Sequence, residues 1–236
     1  MNLNKIFMNI YLRIRNLDNN MFRDLIFKIY SDLIYLHHFI LNSKYFYIDG
    51  KKYTYFSSPY YQTLATERCI EIPFVLSFIN NNSKTNTLEI GNVLSNHISF
   101  KHDVLDKYEI AKGVINEDVA YYNFKKKYDL ILSISTLEHV GFDEPEHDAE
   151  KVIIAIKNLI NSLDKKGILI ISVPLGYNPV IDKLILRNTF KFKKYFMIKT
   201  SFMNTWKQAN ISEAMNKKYG SKYPFANSIA FLLYYK

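Results

Sequence analysis

The chain has 236 residues and a formal net charge of +9, with 31 Lys or Arg against 22 Asp or Glu. This length fits one large domain with a full hydrophobic core, and the single cysteine, Cys69, excludes a disulfide within the chain. No secretory signal is visible, and the longest apolar stretch among the first forty residues is far shorter than the roughly 20 residues of a membrane span, so we expect a cytoplasmic protein without a transmembrane segment.

The positive charge is concentrated at the C-terminal end. Residues 183–236 contain eleven Lys or Arg and one acid, Glu213, which leaves a net charge of −1 on the rest of the chain. Such a segment fits an anionic substrate, a phospholipid surface or RNA, and an ordinary solvated surface explains it equally well. An excess of Lys over Arg is also typical of a biased genome, so the net charge by itself does not favour nucleic-acid binding.

Residues 1–62 are predicted to form a helical and hairpin cap. Residues 1–45 have the apolar spacing of one or two amphipathic helices, and an aromatic, turn-rich stretch follows them. Within that stretch, Asp49-Gly50 between apolar runs predicts a β-hairpin. The aromatic residues 53–56 have too little chain around them for a core of their own. We therefore expect the cap to belong to the same domain as residues 63–236 and to cover the acceptor side of a site.

From residue 87 onward, short apolar strands alternate with longer segments. Strands are predicted at residues 87–91, 102–106, 113–115, 128–133, 167–173, 195–202 and 228–235. Helices are predicted at residues 63–78, 143–164, 179–187 and 211–217, the second with Asp143 and Pro145 as its start signals. This alternation predicts an α/β protein, doubly wound, with a mostly parallel seven-stranded sheet and helices on both faces.

Three landmarks stand in a characteristic order. The first predicted strand ends in Glu89 and Gly91, the fourth runs into Glu138-His139, and the fifth ends at Pro174 after a polar turn. In this order they closely resemble the class I, Rossmann-like, S-adenosylmethionine-dependent methyltransferases, over residues 87–174. The resemblance implies a methyltransferase with S-adenosylmethionine as its cofactor.

The resemblance also implies which residues hold the cofactor. In open α/β sheets, ligands bind beyond the carboxyl ends of the strands, and a glycine after the first strand lets the backbone approach the ligand closely. The family pattern places Glu89 at the methionine end of the cofactor, Asp106 at the ribose hydroxyls and Asp118 beside the adenine. Ordinary loop capping is the alternative for these three acids. The candidate cofactor residues are Glu89, Gly91, Asn92, Asp106, Asp118 and Ser135.

The loop after the first strand departs from the family pattern. Val93 and Ser95 stand where glycines are common, and residues 92–101 are few for a crossover helix, since a parallel crossover usually needs a dozen residues or more. We therefore expect the first helix to be short. The altered loop also supports an alternative function, a non-catalytic methyltransferase-like binding subunit.

Candidate catalytic residues follow the fourth strand. A sugar hydroxyl needs a proton acceptor, for which His is the commonest choice, so His139 is predicted as acid/base or substrate contact, with Glu138 and His147 as alternatives. Packing of His139 against the cofactor is the other interpretation. Tyr177 and Asn178, after the fifth strand, are candidate substrate contacts, with a plain turn as their alternative.

No metal site is predicted, since the acids and the histidine of residues 143–148 are typical of a charged helix start. The leading hypothesis is O-methylation of a small polar or glycan acceptor. Residues 67–73, 88–95 and 102–109 are similar to a subgroup of bacterial and archaeal methyltransferase-like proteins linked to surface-polysaccharide and other glycan pathways. An RNA methyltransferase that uses the basic C-terminal segment is the alternative enzyme, although the Asn-Pro-Pro-Tyr signature of amide methylation is absent. The sequence indicates no particular oligomeric state.

Overall fold

The structure is a computed structural model and describes residues 20–40, 44–58, 60–79, 86–99 and 101–236. Helix α1 spans Asn20–Tyr35 and is followed by a π-helical turn, Leu36–Ile40. The helix predicted nearer the N-terminus falls in residues 1–19, outside the described residues. No helix of the described part of the chain is long and apolar enough to cross a membrane.

The predicted hairpin is confirmed. Strands β1 (Tyr45–Ile48) and β2 (Lys51–Thr54) pair antiparallel as a separate two-stranded sheet. Asp49 and Gly50 connect them with φ angles of 53° and 74°. Positive φ at both central positions is what the favoured two-residue hairpin turns need, because their twist matches that of the strands.

The main sheet has eight strands and confirms the predicted fold class, with one strand more than the seven expected. The strands are β3 (Thr87–Ile90), β4 (Asp103–Leu105), β5 (Val114–Ile115), β6 (Tyr128–Ile134), β7 (Leu163–Pro174), β8 (Lys193–Lys199), β9 (Trp206–Ala209) and β10 (Ser228–Tyr235). Their order is β5-β4-β3-β6-β7-β10-β8-β9. The five strands from β5 to β7 pair in parallel and have the 3-2-1-4-5 order of doubly wound, Rossmann-type sheets.

The additional strand is β9, which pairs antiparallel with β8. The sequence pattern does not predict this strand, because Lys207 and Gln208 interrupt its four residues and leave no apolar alternation. Strand β7 is also longer than predicted. It begins at Leu163, and the polar residues expected to end the preceding helix belong to the strand instead.

Two of the predicted α-helices begin later than expected, and the last two begin at the predicted residues, 179 and 211. Helix α2 spans Arg68–Ile79, α3 spans Lys151–Ser162, α4 spans Pro179–Leu186 and α5 spans Ile211–Met215. Helix α3 starts later than its predicted start at Asp143. Among the described residues, the connections from β3 to β6 contain no α-helix, and the first holds only a 3-10 turn, Leu94–Asn96. The predicted shortness of that first helix is therefore confirmed.

The chain divides into two compact units. One comprises Met1–Phe74 and Phe196–Ile229, and the other Val75–Tyr195 and Ala230–Lys236. In the second unit, Leu88, Ile131 and Ile170, on neighbouring strands, are completely buried. Their continuous apolar strands are typical of a sheet covered on both faces. The place of residues 1–62 within a single domain stays a prediction.

The core of the first unit contains a buried polar network. The side-chain amide of Asn204 donates hydrogen bonds to the carbonyls of Leu64 and Thr66, at 2.7 Å each, and to Cys69 Sγ at 3.2 Å. Asn204 Oδ1 accepts from the indole of Trp206 at 3.0 Å. Because every polar atom of the Asn204 side chain has a partner, its complete burial carries little penalty.

Candidate active site

A cavity of about 500 Å³ opens in the second unit at the carboxyl ends of β3, β4, β5 and β6. This volume lies within the roughly 300–1,000 Å³ of small-molecule sites. The parallel strands bring their following loops to one edge of the sheet, as the fold requires. Six of the ten predicted site residues line the cavity: Gly91, Asn92, Asp106, Asp118, Ser135 and His139.

Glu89 is not among the residues that line the cavity. Its carboxylate is fully buried, and Oε1 accepts hydrogen bonds from the backbone N–H groups of Val93 and Leu94 at 2.9 and 2.8 Å. Oε2 lies 2.7 Å from His102 Nε2. Glu89 thus holds the loop after β3 in its conformation, while its predicted contact with a cofactor stays a prediction.

Gly91 turns the chain at the end of β3 with a φ angle of 81°. A Cβ atom at this position would lie 2.4 Å from Thr136 Oγ1 and 2.9 Å from Thr136 Cγ2. The glycine is therefore needed for a close approach, but the neighbour within the protein is the Thr136 side chain of the loop after β6. From the sequence alone, that space is expected to belong to a ligand.

Asn92 presents an unusual polar atom at the cavity. Its Nδ2 donates to Glu109 Oε1 at 2.6 Å, whereas its Oδ1 is buried and has no hydrogen-bond partner among the described residues. A buried acceptor without a partner costs roughly 1–3 kcal/mol. Asn92 thus lines the cavity while its side-chain oxygen is left without a partner in the described part of the chain.

Asp106 follows β4 at the cavity wall. Its Oδ1 accepts from the backbone N–H groups of Tyr108 and Glu109, both at 2.8 Å. In the described part of the chain, its Oδ2 takes part in no hydrogen bond. One carboxylate oxygen therefore caps the turn, as the alternative interpretation expected, and the other is left for a ligand.

Asp118 belongs to a network of four charged side chains. Its Oδ2 lies 3.0 Å from Lys107 Nζ and 2.6 Å from Lys151 Nζ, and both lysines also bind Glu144 Oε2. Burial raises the pKa of Asp118, but the hydrogen bonds from Lys151 and Lys107 outweigh burial and hold it below its usual value. Asp118 Oδ1 accepts from the backbone N–H of Ala120, so both oxygens are engaged.

Ser135 has a backbone conformation that is uncommon for a residue with a side chain. Its φ angle is 39°, and its N–H donates to the carbonyl of Ser172 at 2.9 Å. Such left-handed residues cost on the order of 1–3 kcal/mol and cluster at functional sites. Ser135 lines the cavity, in agreement with its predicted place there.

His139 lines the cavity with a half-exposed side chain. Its Nδ1 forms a short hydrogen bond with Asp143 Oδ2, and its Nε2 lies 3.7 Å from Glu138 Oε1. The Tyr177 hydroxyl donates to the same Asp143 oxygen at 2.7 Å, and the rings of His139 and Tyr177 meet edge to face at 5.2 Å. Asp143 therefore joins two of the predicted site residues.

The remaining predicted residues lie apart from the cavity lining. Asn178 is buried and caps α4, since its Oδ1 accepts from Val180 N–H at 2.9 Å and its Nδ2 donates to the Glu138 carbonyl at 2.8 Å. The plain-turn alternative thus describes its contacts. Glu138 is buried, and the His147 ring packs edge to face against Phe142.

Sequence reasoning missed several residues of the site. Thr136, Glu144 and Lys107 line the cavity, and Asp143 contacts His139. Asp143 and Glu144 had been interpreted as the start of a helix, because their acidic side chains precede an apolar period. The spacing of four residues between His139 and Asp143 was the available signal, although it predicts contact only where the chain is helical or turns tightly.

The fold and the cavity define a Rossmann-like α/β protein with a cavity of small-molecule size at the carboxyl edge of its sheet. No protein-family model matches the chain, and no curated protein matches it. Among solved structures, the N-methyltransferase NodS of Bradyrhizobium japonicum WM9, crystallised with S-adenosyl-L-homocysteine, is 12% identical, with 69% of this chain and 84% of NodS covered and a TM-score of 0.45.

Two further structures are similar at the same level. TehB of Haemophilus influenzae is 14% identical, with 69% of this chain and 61% of TehB covered and a TM-score of 0.45. An S-adenosylmethionine-dependent methyltransferase of Clostridium acetobutylicum ATCC 824 is 12% identical, with 87% and 98% covered and a TM-score of 0.38. The doubly wound fold class expected from the sequence is confirmed by the strand order of this chain itself.

Proposed function

We propose that this chain is an S-adenosylmethionine-dependent methyltransferase that uses the cavity at the carboxyl edge of the sheet. The observation that carries the proposal is the cavity itself, which lies at the carboxyl ends of the parallel strands and is lined by six of the predicted site residues. When bound, S-adenosylmethionine supplies an electrophilic methyl group on a sulfonium sulfur.

The charge of the cavity fits a cationic cofactor. Five acids line it, namely Asp106, Glu109, Glu117, Asp118 and Glu144, against one lysine, Lys107. Negative charge that is only partly neutralised favours a bound sulfonium and ammonium group. Asp106 Oδ2 is available for the ribose hydroxyls, and Asn92 and Ser135 complete the predicted set at the same edge. Glu89 contributes to cofactor binding indirectly, because it holds the conformation of the loop after β3.

The acceptor side is assigned to His139. A hydroxyl acceptor must lose its proton as the methyl group arrives, and His139 takes that proton while the cavity aligns the reactants. A small polar or glycan hydroxyl fits this arrangement. An acceptor that brings phosphate groups into the cavity meets the five acids, which disfavours the RNA alternative at this site.

Calorimetry with S-adenosylmethionine tests the proposal. Asp106→Ala should weaken binding by at least about tenfold, since a hydrogen bond to a charged group contributes roughly 1.5–3 kcal/mol. Asp106→Asn keeps the acceptor that caps the turn and separates loss of the cap from loss of the ribose contact. The matched control is Asp103→Ala, because Asp103 binds Lys126 and the Tyr128 hydroxyl and does not line the cavity.

Absence of binding by the wild-type chain would contradict the proposal, and an equal loss in Asp103→Ala would contradict the assignment of the ribose contact. A screen of sugars and glycan fragments without phosphate groups, with labelled cofactor, then tests the acceptor class. Cofactor binding without transfer to any member of that set would contradict the glycan assignment and favour RNA or a binding subunit.

A further inference from the structure

Asp143 Oδ2 forms two hydrogen bonds at the cavity edge. One joins it to His139 Nδ1, and the other is donated by the Tyr177 hydroxyl. Asp143 lies four residues after His139, and the loop between them is closed by a hydrogen bond from Asp143 N–H to the His139 carbonyl at 3.1 Å. Tyr177 reaches the same oxygen from the loop after β7. Two separate segments therefore converge on one carboxylate.

The protonation state of this group follows from its contacts. Burial raises the pKa of Asp143, but the hydrogen bonds from His139 and Tyr177 outweigh burial and lower it. Burial, and then the contact with Asp143, raises the pKa of Tyr177, which therefore stays a donor. An ionised carboxylate has no proton to give, so the proton between Asp143 and His139 belongs to Nδ1.

We propose that Asp143 is a positioning residue that holds neutral His139 as the Nδ1–H tautomer, leaving Nε2 as the only proton-accepting nitrogen of the ring. Tyr177 fixes the carboxylate that does this. The catalytic part of the inference rests on the proposed function, in which His139 accepts a proton. The tautomer itself is independent of any activity. A second group that orients the base is the usual arrangement where histidine acts as proton acceptor.

The other polar groups near His139 do not replace Asp143 as the partner of Nδ1. Glu138 Oε1 is 3.7 Å from Nε2, beyond hydrogen-bond distance, and its residue is buried. The Tyr177 hydroxyl is 3.4 Å from Nδ1 and already donates to Asp143. Glu144, which lines the same cavity, is engaged by Lys107 and Lys151. Asp143 is thus the acceptor that keeps the proton of the neutral ring on Nδ1.

Nitrogen-15 NMR of the histidine rings tests this in the intact chain, at a pH where the rings are neutral. His139, assigned by comparison with His139→Gln, should show the chemical shifts of an Nδ1–H, Nε2-unprotonated ring. Asp143→Ala should move the ring toward the Nε2–H form that free histidine side chains prefer in water. Glu146→Ala, at an exposed acid nearby, should leave it unchanged. An Nε2–H ring in the wild type, or no change in Asp143→Ala, would overturn the proposal.

Tyr177→Phe provides a second, milder test, because it removes one hydroxyl and keeps the ring against His139. It should produce a smaller shift in the same direction, and an unchanged tautomer would remove Tyr177 from the inference. Calorimetry with S-adenosylmethionine separates this inference from the proposed function. Asp143→Ala should bind the cofactor within about twofold of the wild type, whereas failure of the wild type to bind would defeat the function and leave the tautomer result standing.

Discussion

Glu89 Oε2 lies 2.7 Å from His102 Nε2, and both side chains are almost completely buried. The pair joins β3 to the residue that precedes β4, and the other oxygen of Glu89 holds the loop at the cavity. Glu89 therefore stabilises the conformation of the loop that borders the cavity. Its hydrogen bonds in the described part of the chain are those with Val93, Leu94 and His102, and its contact with a cofactor stays a prediction.

We expect Glu89→Ala to lower the free energy of unfolding by about 3–5 kcal/mol, because it leaves a buried histidine and two backbone N–H groups without their acceptor. Urea denaturation of the two proteins measures the difference. Glu146→Ala, which removes an exposed acid, is the control and should change stability by less than about 0.5 kcal/mol. Similar stabilities for the two variants would contradict the structural role of Glu89.

Gly91→Ala is expected to cost more than the same change at Gly113. Both glycines have positive φ, 81° and 88°, so both variants incur the roughly 1–2 kcal/mol of a left-handed alanine. Only the Cβ at position 91 meets a neighbour, Thr136, whereas the Cβ at position 113 has open space. Adding Thr136→Ala to Gly91→Ala should recover most of the excess in a denaturation experiment. If the double variant keeps the full additional loss of stability, the clash of the new Cβ is not with Thr136, and the prediction is wrong.

Lys199 makes stability depend on pH. Burial lowers its pKa to about 8, and its Nζ donates to the Pro224 carbonyl at 2.8 Å. Between about pH 8 and its usual value of 10.5, the unfolded chain binds a proton that the folded chain has lost, so this residue makes unfolding costlier as pH rises. The stability of the wild type relative to Lys199→Met should therefore increase over this interval.

Denaturant unfolding at several pH values within this range measures that difference. Tyr55 and Cys69, whose pKa values burial raises, contribute the opposite slope in both proteins, and most of their effect cancels in the comparison. Lys218→Met, at an exposed lysine, should show no such trend. A constant difference between wild type and Lys199→Met would contradict the prediction.

A fragment of residues 1–62 should not fold cooperatively on its own. The Tyr30 hydroxyl donates to the Phe202 carbonyl at 2.6 Å, and His38 Nε2 lies 2.9 Å from the Met203 carbonyl. The Tyr55 hydroxyl accepts from Trp206 N–H at 2.8 Å. The fragment lacks all three partners, so its buried polar groups would lose their hydrogen bonds. A sigmoidal thermal transition of the isolated fragment, followed by circular dichroism, would contradict this expectation.

His139→Ala should reduce turnover by about a hundredfold or more once an acceptor is found, because general base catalysis typically contributes 10²–10⁴-fold. Its affinity for S-adenosylmethionine should stay close to that of the wild type. If His139 instead packs against the cofactor, the affinity falls and turnover at saturation changes little. Calorimetry together with initial rates distinguishes the two roles.

The sequence by itself determined the buried strands of the sheet and the edge at which the cavity lies. Continuous apolar runs such as residues 168–173 are specified locally, because a strand covered on both faces has few other ways to bury them. The family resemblance indicated residues at the strand ends, and of these Gly91, Asp106 and Ser135 line the cavity. The Asp49-Gly50 hairpin could also be predicted from the sequence, because a two-residue turn depends on the φ angles of its own residues.

Only the tertiary structure decided which groups meet across loops. The interval from Asp143 to Ala149 had the composition of a helix start, yet Asp143 bonds His139 and Glu144 bonds Lys107 and Lys151. Strand β9 likewise forms because β8 offers an edge to pair with, although its own residues lack strand periodicity. Side-chain partners far apart in sequence depend on how the segments pack together, and a local pattern carries no information about that packing.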